Sequence, residues 1–396
     1  MCVNFMLFFA MLAVPISSVR VGVDGDRRAF NSHLAEHFEA MGTPEYEVRF
    51  QHYKKRMAAI QEHNSRHERT WTRGVNRFTA WTDEERADLL GWRGKSAELS
   101  FRSLSIARKR KELPASVSWE HLNAVQDIQY QGVCASCWAI TVTSTLTAHA
   151  EIYAQATKGL NRTFSTQELV DCVSNPHECG GQGGCQGATP ELALAYTMMF
   201  GLAESSEYPY QGRQSVCSAQ AAARRQSFVS LSADMENAQL GENAVGTHES
   251  RPDDLGRSFN MIGWVRLPVN ERQPLMTALV EHGPVVVGVA AAEWLDYESG
   301  VFSGCSKDPV LDHVVVLVGY GSLDGVSHWR IQNSWSDSWG DKGYLNLLRH
   351  EQEADEPCGI DHQFEKGGGC KGAPSDFPVC GECGIFSNSV FPLFGS

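Results

Sequence analysis

The sequence predicts an α+β protein in which a helical half and a sheet half meet at a cleft, preceded by a separate charged helical segment. Three patterns predict it. In the N-terminal part, Glu45, Arg49, Tyr53, Arg56, Ile60 and Asn64 recur at steps of four, four, three, four and four, one slowly drifting stripe along a helix. Residues 137–155 then keep helical period, with Val142, Leu146, Ala150 and Tyr153 on one face. Beyond about residue 260 the character turns to β: "PVVVGVAAA", "HVVVLVGYG", "HWRIQNSW" and "GYLNLL" are short apolar runs bounded by Gly, Pro or polar residues.

Taken in order, the chain opens on "FMLFFAMLAV", Phe5 to Val14, followed by Pro15, Ser17 and Ser18. Ten apolar residues are too few to span a bilayer but suit the core of a secretory signal, although no basic residue precedes them. We therefore expect a signal peptide at 1–18 and a protein of the secretory pathway, secreted or held in a lysosome- or vacuole-like compartment. Residues from about 30 to 92 read as helical and rich in charge. A Ser/Arg/Lys linker follows, in which Arg108-Lys109-Arg110-Lys111 reads as solvated chain or a processing site. "LPASVSW", Leu113 to Trp119, enters a new domain. Asn161-Arg162-Thr163 is a glycosylation triplet. Residues 218–258 are polar and without period, a long surface insertion, and the tail from about 350 is rich in Gly and Cys. No internal repeat is present.

The 396 residues suffice for two ordinary domains, and 42% apolar with 20% charged content describes a soluble globular chain. A net charge of −13 excludes nucleic acid as the main partner, because phosphate binding needs a basic face. If Cys2 leaves with the signal, eleven of the twelve cysteines remain, and in an oxidising compartment an odd count leaves one thiol unpaired. One cysteine is thereby marked as a working residue.

"QGVCASCW", Gln131 to Trp138, holds two cysteines separated by two residues. A redox dithiol of this spacing should follow a strand and open a helix. Here a helix follows, but "NAVQDIQYQG" upstream shows no strong buried strand. A zinc site would need a second ligand pair, which Cys172, Cys179 and Cys185 supply on spacing alone. The third reading makes Cys137 a nucleophile at a helix start, where backbone N–H groups and the helix dipole favour a thiolate. A nucleophile needs a base and a group to orient that base. His313 opens a β run, Asn333 stands beside Trp335 and Trp339, and Gln131 lies six residues before Cys137 as a donor to a developing oxyanion.

These residues resemble the papain/cathepsin cysteine proteases, in which Gln-Gly-x-Cys-Gly-Ser-Cys-Trp, Asp-His and Asn-Ser-Trp-Gly mark the site. "FSTQELVDC", "GCQGA" and "EYPYQG" resemble further segments of that family. Glu45, Arg49, Tyr53, Ile60 and Asn64 match its inhibitory prosegment motif, and Gly74, Asn76 and Phe78 a second one. The resemblance implies a papain-like two-lobed fold. A helical left domain (about 120–222) and a β-barrel-like right domain (about 257–396) would face each other across the cleft. A helical prodomain, 19–112, would precede and inhibit the mature peptidase, 113–396. The implied activity is that of a cysteine endopeptidase, a monomer acting on protein or peptide substrates with no cofactor and no metal.

By the same resemblance Cys137 is the nucleophile and His313 the base, Asn333 orients the imidazole, and Gln131 stabilises the oxyanion with the Cys137 N–H. Gly187, Ala188, Trp339 and Asn388 fall at the substrate, Asn388 near the floor of the pocket for the residue two before the scissile bond. Cys134 pairs with Cys185, Cys172 with Cys217 and Cys305 with Cys383. That leaves Cys179, Cys358, Cys370 and Cys380 with three possible pairings, and a zinc cluster including "CGEC" as the rival.

The sequence departs from the family at Ala135, Ala188 and Ser336, where glycine is usual, which predicts altered specificity with activity retained. In the prosegment Arg56 stands for Asn and Ala80 for a frequent Asp. The alternative activity is an exopeptidase whose 218–258 insertion restricts the cleft, although that stretch carries only His248 and no internal cysteine pair. A non-catalytic, protease-like binding protein would normally have lost the nucleophile or the base. Both remain.

Overall fold

The computed structural model describes residues 16–38, 42–90, 113–154, 162–218, 221, 261–364 and 368–395. The N-terminal segment begins with helices α1 (Ile16–His37), which starts inside the expected signal at 1–18, and α2 (Thr43–Asn64), and the two pack together. The periodic stripe is the inner face of α2: Arg49, Tyr53, Arg56 and Ile60 are all buried, and Phe30, Phe50, Tyr53 and Ala80 form one apolar cluster. Ala80 is fully buried there, so a small apolar side chain fits where a carboxylate would lose its hydration.

Two members of the stripe are arginines with defined tasks. Arg49 makes a two-pronged bond to Glu85, at 2.8 and 2.7 Å, and a third to Glu45 at 3.0 Å. Arg56 donates to the carbonyls of Phe78, Thr79 and Trp81 and to Asp83. After α2 the expectation of continuous helix gives way to a short strand β1 (Trp71–Arg73), a 3-10 turn Arg77–Ala80 capped by Asn76, and helix α3 (Asp83–Leu89) opened by a Thr82/Glu85 capping box.

After the short β2 (Val117–Ser118), which belongs to the main sheet, the helical lobe contains α4 (Asn123–Gln126), α5 (Cys137–Ile152), α6 (Thr166–Cys172) and α7 (Pro190–Phe200). Twelve of the sixteen α5 residues are buried, so it is a central helix covered on most sides. The β lobe supplies β3 (Met261–Arg266), a helix Arg272–Glu281, β4 (Val285–Val289), β5 (Tyr297–Phe302), β6 (His313–Leu323), β7 (Val326–Gln332) and β8 (Tyr344–Leu348). A hairpin, β9 (Cys358–Asp361) and β10 (Phe377–Cys380), precedes the last strand β11 (Ser389–Phe394).

The main sheet runs β1-β5-β8-β7-β6-β4-β11-β3, with β2 paired to β6. This path ends at β1 and β3, so the β half is an open sheet and not a closed barrel. Its first strand comes from the prosegment, paired antiparallel to β5 through Trp71–Gly300, Thr72–Ser299 and Arg73–Tyr297.

The cysteines that the sequence left open resolve into Cys179–Cys370 and Cys358–Cys380. Cys358 and Cys380 lie directly opposite in the β9–β10 register. The other bonds are Cys134–Cys185, Cys172–Cys217 and Cys305–Cys383. Zinc at "CGEC" is overturned, because Cys380 and Cys383 sit in two different disulfides.

Candidate active site

Cys137 is the first residue of α5, fully buried, and the cysteine among the described residues that is in no disulfide. Its neighbour Cys134 is bonded to Cys185, which removes the redox-dithiol and zinc readings of this motif. Helix α5 packs on β6, the strand that begins at His313. Cys137 shares an apolar cluster with Leu311 and Val314, which bracket His313 in the chain. The thiol and the imidazole thus come from opposite lobes onto one seam.

His313 is fully buried and held on two sides. Its Nε2 bonds Asn333 Oδ1 at 2.8 Å, and its ring stacks on Trp335 at 4.9 Å and 27°. Asn333 Oδ1 also accepts from the Ser334 N–H at 2.8 Å. Because that oxygen only accepts, Nε2 carries a proton, and the buried Nδ1, which makes no hydrogen bond, is the basic nitrogen of the neutral ring. Burial pushes His313 down to about 4, and the bond to Asn333 works in the opposite direction.

Gln131 is fixed at every polar atom. Its Nε2 donates to the carbonyls of Leu89, at 2.9 Å, and Cys134, at 3.1 Å. Its Oε1 accepts from the Ser334 hydroxyl at 2.7 Å, and its own carbonyl accepts from the Tyr210 hydroxyl at 2.7 Å. Tyr210 also meets Ser136 Oγ at 2.6 Å, immediately before Cys137. Burial pushes the Tyr210 phenol up to about 12, so it stays a neutral donor. Sequence reasoning missed Tyr210 and Ser334, although both stand inside quoted segments, "EYPYQG" and "QNSW". Their contacts cross 79 and 203 residues and leave no local pattern.

The prosegment reaches this site along the sheet edge. Beyond the β1–β5 pairing, Asn76 Nδ2 donates to Leu295 O at 2.8 Å, Arg86 pairs with Asp296, and Phe78 meets Trp335 edge-on at 5.6 Å. Gly74 lies so close to Glu298 that a Cβ would stand 2.9 Å from its carboxyl carbon. The segment ends with the Leu89 carbonyl on Gln131.

Of the residues expected at the substrate, Gly187 adopts φ +88 and accepts from the Gly183 N–H at 2.8 Å, while Ala188 is fully buried. Ala135 is buried too, its N–H donating to Cys185 O at 3.1 Å. Trp339 lies beneath Trp335, ring to ring at 4.9 Å and 82°, and donates to Leu295 O at 3.3 Å. Asn388 carries its backbone carbonyl to the Gly288 N–H at 2.8 Å and leaves its buried Oδ1 without a hydrogen bond. Asn161, most of the signal segment, the 91–112 linker and nearly all of the 218–258 insertion lie outside the described residues.

Residues 113–366 match the papain family cysteine protease domain, and residues 35–86 match the cathepsin propeptide inhibitor domain. The chain is 30% identical over 391 residues to the probable cysteine protease RDL6 of Arabidopsis thaliana, covering 91% of this chain and 94% of that one. It is 28% identical over 314 residues to a cathepsin L-like proteinase of Fasciola hepatica, covering 78% and 83%. Among solved structures, digestive procathepsin L 3 of Tenebrio molitor superposes with a TM-score of 0.67 at 24% identity, over 93% of this chain and 99% of that one. The recombinant stem bromelain precursor gives 0.65 at 24%, over 94% and 100%. At that identity the two structures speak for the fold, and the domain matches speak for the family. The chain belongs to the papain family and is a cysteine protease carrying a cathepsin-type inhibitory propeptide.

Proposed function

We propose that Cys137, His313, Asn333 and Gln131 carry out the peptide hydrolysis, within a mature body of residues 113–396 that follows a propeptide of residues 19–112. The observation that carries this is the unbridged thiol at the head of α5, clustered with Leu311 and Val314 on either side of a buried imidazole whose Nε2 is clamped by Asn333 and whose Nδ1 makes no hydrogen bond among the described residues. His313 Nδ1 takes the thiol proton, and the thiolate adds to the peptide carbonyl. The oxyanion is met by Gln131 Nε2 and the Cys137 N–H, each donor worth about 3 kcal/mol of barrier. The imidazolium protonates the leaving amine, and the ring then takes a proton from the water that releases the acyl group and restores the thiol. An epoxide inhibitor incubated with the trimmed protein should label Cys137 stoichiometrically. Labelling elsewhere overturns the assignment.

The same contacts support an inert precursor, because Gln131 Nε2 is already occupied by the Leu89 carbonyl. The uncut chain should cleave no peptide until residues up to about 112 are removed, and full activity from intact precursor would defeat this. We read the working protein as a monomer delivered through the secretory pathway to the outside or to a lysosome- or vacuole-like compartment. The five disulfides among the described residues support an oxidising route. No helix among the described residues is long and apolar enough to cross a membrane.

A further inference from the structure

We infer that the cysteine-rich insertion, residues 358–364 and 368–380, is a fixed wall across one side of the cleft. Its residue Phe364 limits the side chain accepted two positions before the scissile bond.

The insertion is anchored to both lobes. On the β lobe, the buried Asp361 carboxylate accepts from the Leu311 N–H at 3.0 Å, two residues before His313, and Ile360 N–H donates to Asp308 Oδ1 at 2.9 Å. Gly359 packs so tightly against Lys307 that a Cβ would stand 1.8 Å from its carbonyl oxygen. On the helical lobe, Cys370 is bonded to Cys179, Gly180 N–H donates to Gly369 O at 2.9 Å, and Lys371 N–H donates to His177 O at 3.0 Å. These helical-lobe residues lie a few positions before Gly187 and Ala188.

Between the anchors stands Phe364, 8% exposed and stacked on Phe377 at 4.1 Å and 12°. Its N–H donates to Ser375 O at 3.0 Å and its carbonyl accepts from Gly369 N–H at 2.9 Å. It belongs to the apolar cluster that holds Cys137, Ala188, Leu311 and Val314. Val379 of β10 joins the same cluster. An aromatic ring thus joins the apolar cluster that flanks Cys137 and His313, from an element covalently tied to the opposite lobe.

Two features make the wall permanent. It follows residue 113 in the chain, so excision of the propeptide leaves it in place. Among the described residues, the propeptide's hydrogen bonds to the body fall on residues 295–303 and on Gln131 and not on this wall. A ring held by backbone bonds on a disulfide-anchored segment cannot swing aside as a free loop would, so it takes its own volume from the apolar space it shares with Ala188, Leu311 and Val314.

This inference rests on the assignment of Cys137 and His313, and the experiment separates the two. Trimmed wild type, Phe364→Ala and Phe364→Leu are titrated with an epoxide inhibitor and then assayed, per titrated thiol, on fluorogenic peptides varied two residues before the cleaved bond. Stoichiometric labelling of Cys137 upholds the catalytic assignment whatever the profile shows. The wild type should favour Ala and Val over Leu and Phe at that position. Phe364→Ala should raise kcat/KM for Leu and Phe by about tenfold or more, the scale set by hydrophobic pocket volume, with Ala and Val changing less than about threefold. Phe364→Leu should fall between. A wild type that prefers Leu or Phe, or identical profiles across the variants, overturns the proposal. If Phe364→Ala yields no titratable thiol, the wild-type profile and Phe364→Leu still decide it.

Discussion

The surroundings of His313 oppose its charged form. With the propeptide's Phe78 against Trp335 and the ring fully buried, its pKa falls to about 4, so the precursor holds a neutral imidazole at neutral pH. Removing the propeptide admits water, and a neighbouring thiolate then favours the imidazolium. Titration of the ring by NMR should therefore give a low pKa in the precursor and a higher one in the trimmed enzyme. Asn333→Ala should lower kcat by about tenfold to a hundredfold with little change in KM, since it removes the orienting acceptor and not a reacting group. Ser336 is a second residue with a measurable consequence. It adopts φ +77, a left-handed conformation that a side chain disfavours and glycine accepts. Ser336→Gly should stabilise the fold by about 1 kcal/mol, read as a higher Tm. Cys137, His313 and Asn333 stood out as candidates because each sits in a compact motif. The Leu89 carbonyl on Gln131 was not, because a backbone oxygen has no sequence signature.

At the scale of elements, the α2 stripe showed its period but hid its chemistry. Spacing located the buried face, yet Arg49 and Arg56 on that face satisfy carbonyls and carboxylates of the following turn. Arg56→Ala would leave the buried carbonyls of Thr79 and Trp81 without their guanidinium donor, while Phe78 O keeps Arg86. Breaking such a buried charged network costs about 3–5 kcal/mol. The isolated Arg56→Ala propeptide should inhibit the trimmed enzyme at least about a hundredfold less well. Lysine should not restore it, because one ammonium cannot span the acceptors of a planar fork. Strand β1 escaped the sequence for a different reason. Three residues are too few to display alternation, and their conformation is imposed by the edge of β5. The 358–380 hairpin was likewise invisible until its register set Cys358 opposite Cys380.

For the whole molecule, pH acts with one sign on the propeptide histidines and with both signs in the mature body. In the propeptide, burial lowers His33 to about 4, with His37 adding to the effect, and burial also lowers His37 and His63. The unfolded segment binds these protons more readily than the folded one. Their contribution is therefore present above about pH 6.5 and is lost as pH falls towards 4. In the mature body, burial raises Glu356 to about 7 and Asp312 to about 8, so their contribution is present in acid and is lost as pH rises through those values. Acid thus loosens the propeptide, while in the mature body Glu356 and Asp312 act against His149 and His313, which burial lowers to about 4 and which oppose acid as the propeptide histidines do. Autoprocessing should accelerate between pH 6.5 and 4, and His33→Phe, which keeps the ring against Tyr53, should flatten that dependence. The two halves of the fold were legible because helical and strand periods differ. The open course of the sheet was not, since strand order depends on partners distant in the chain.

The pairing of β1 with β5 outlasts its first use. Once the leader is cut away, residues 297–302 become a bare rim whose N–H and C=O groups bond only water on one flank. A severed leader released nearby is the natural complement of that rim, so cleavage alone leaves an equilibrium governed by its concentration. Lasting activation then requires that the enzyme digest its own leader or that dilution carry the fragment away.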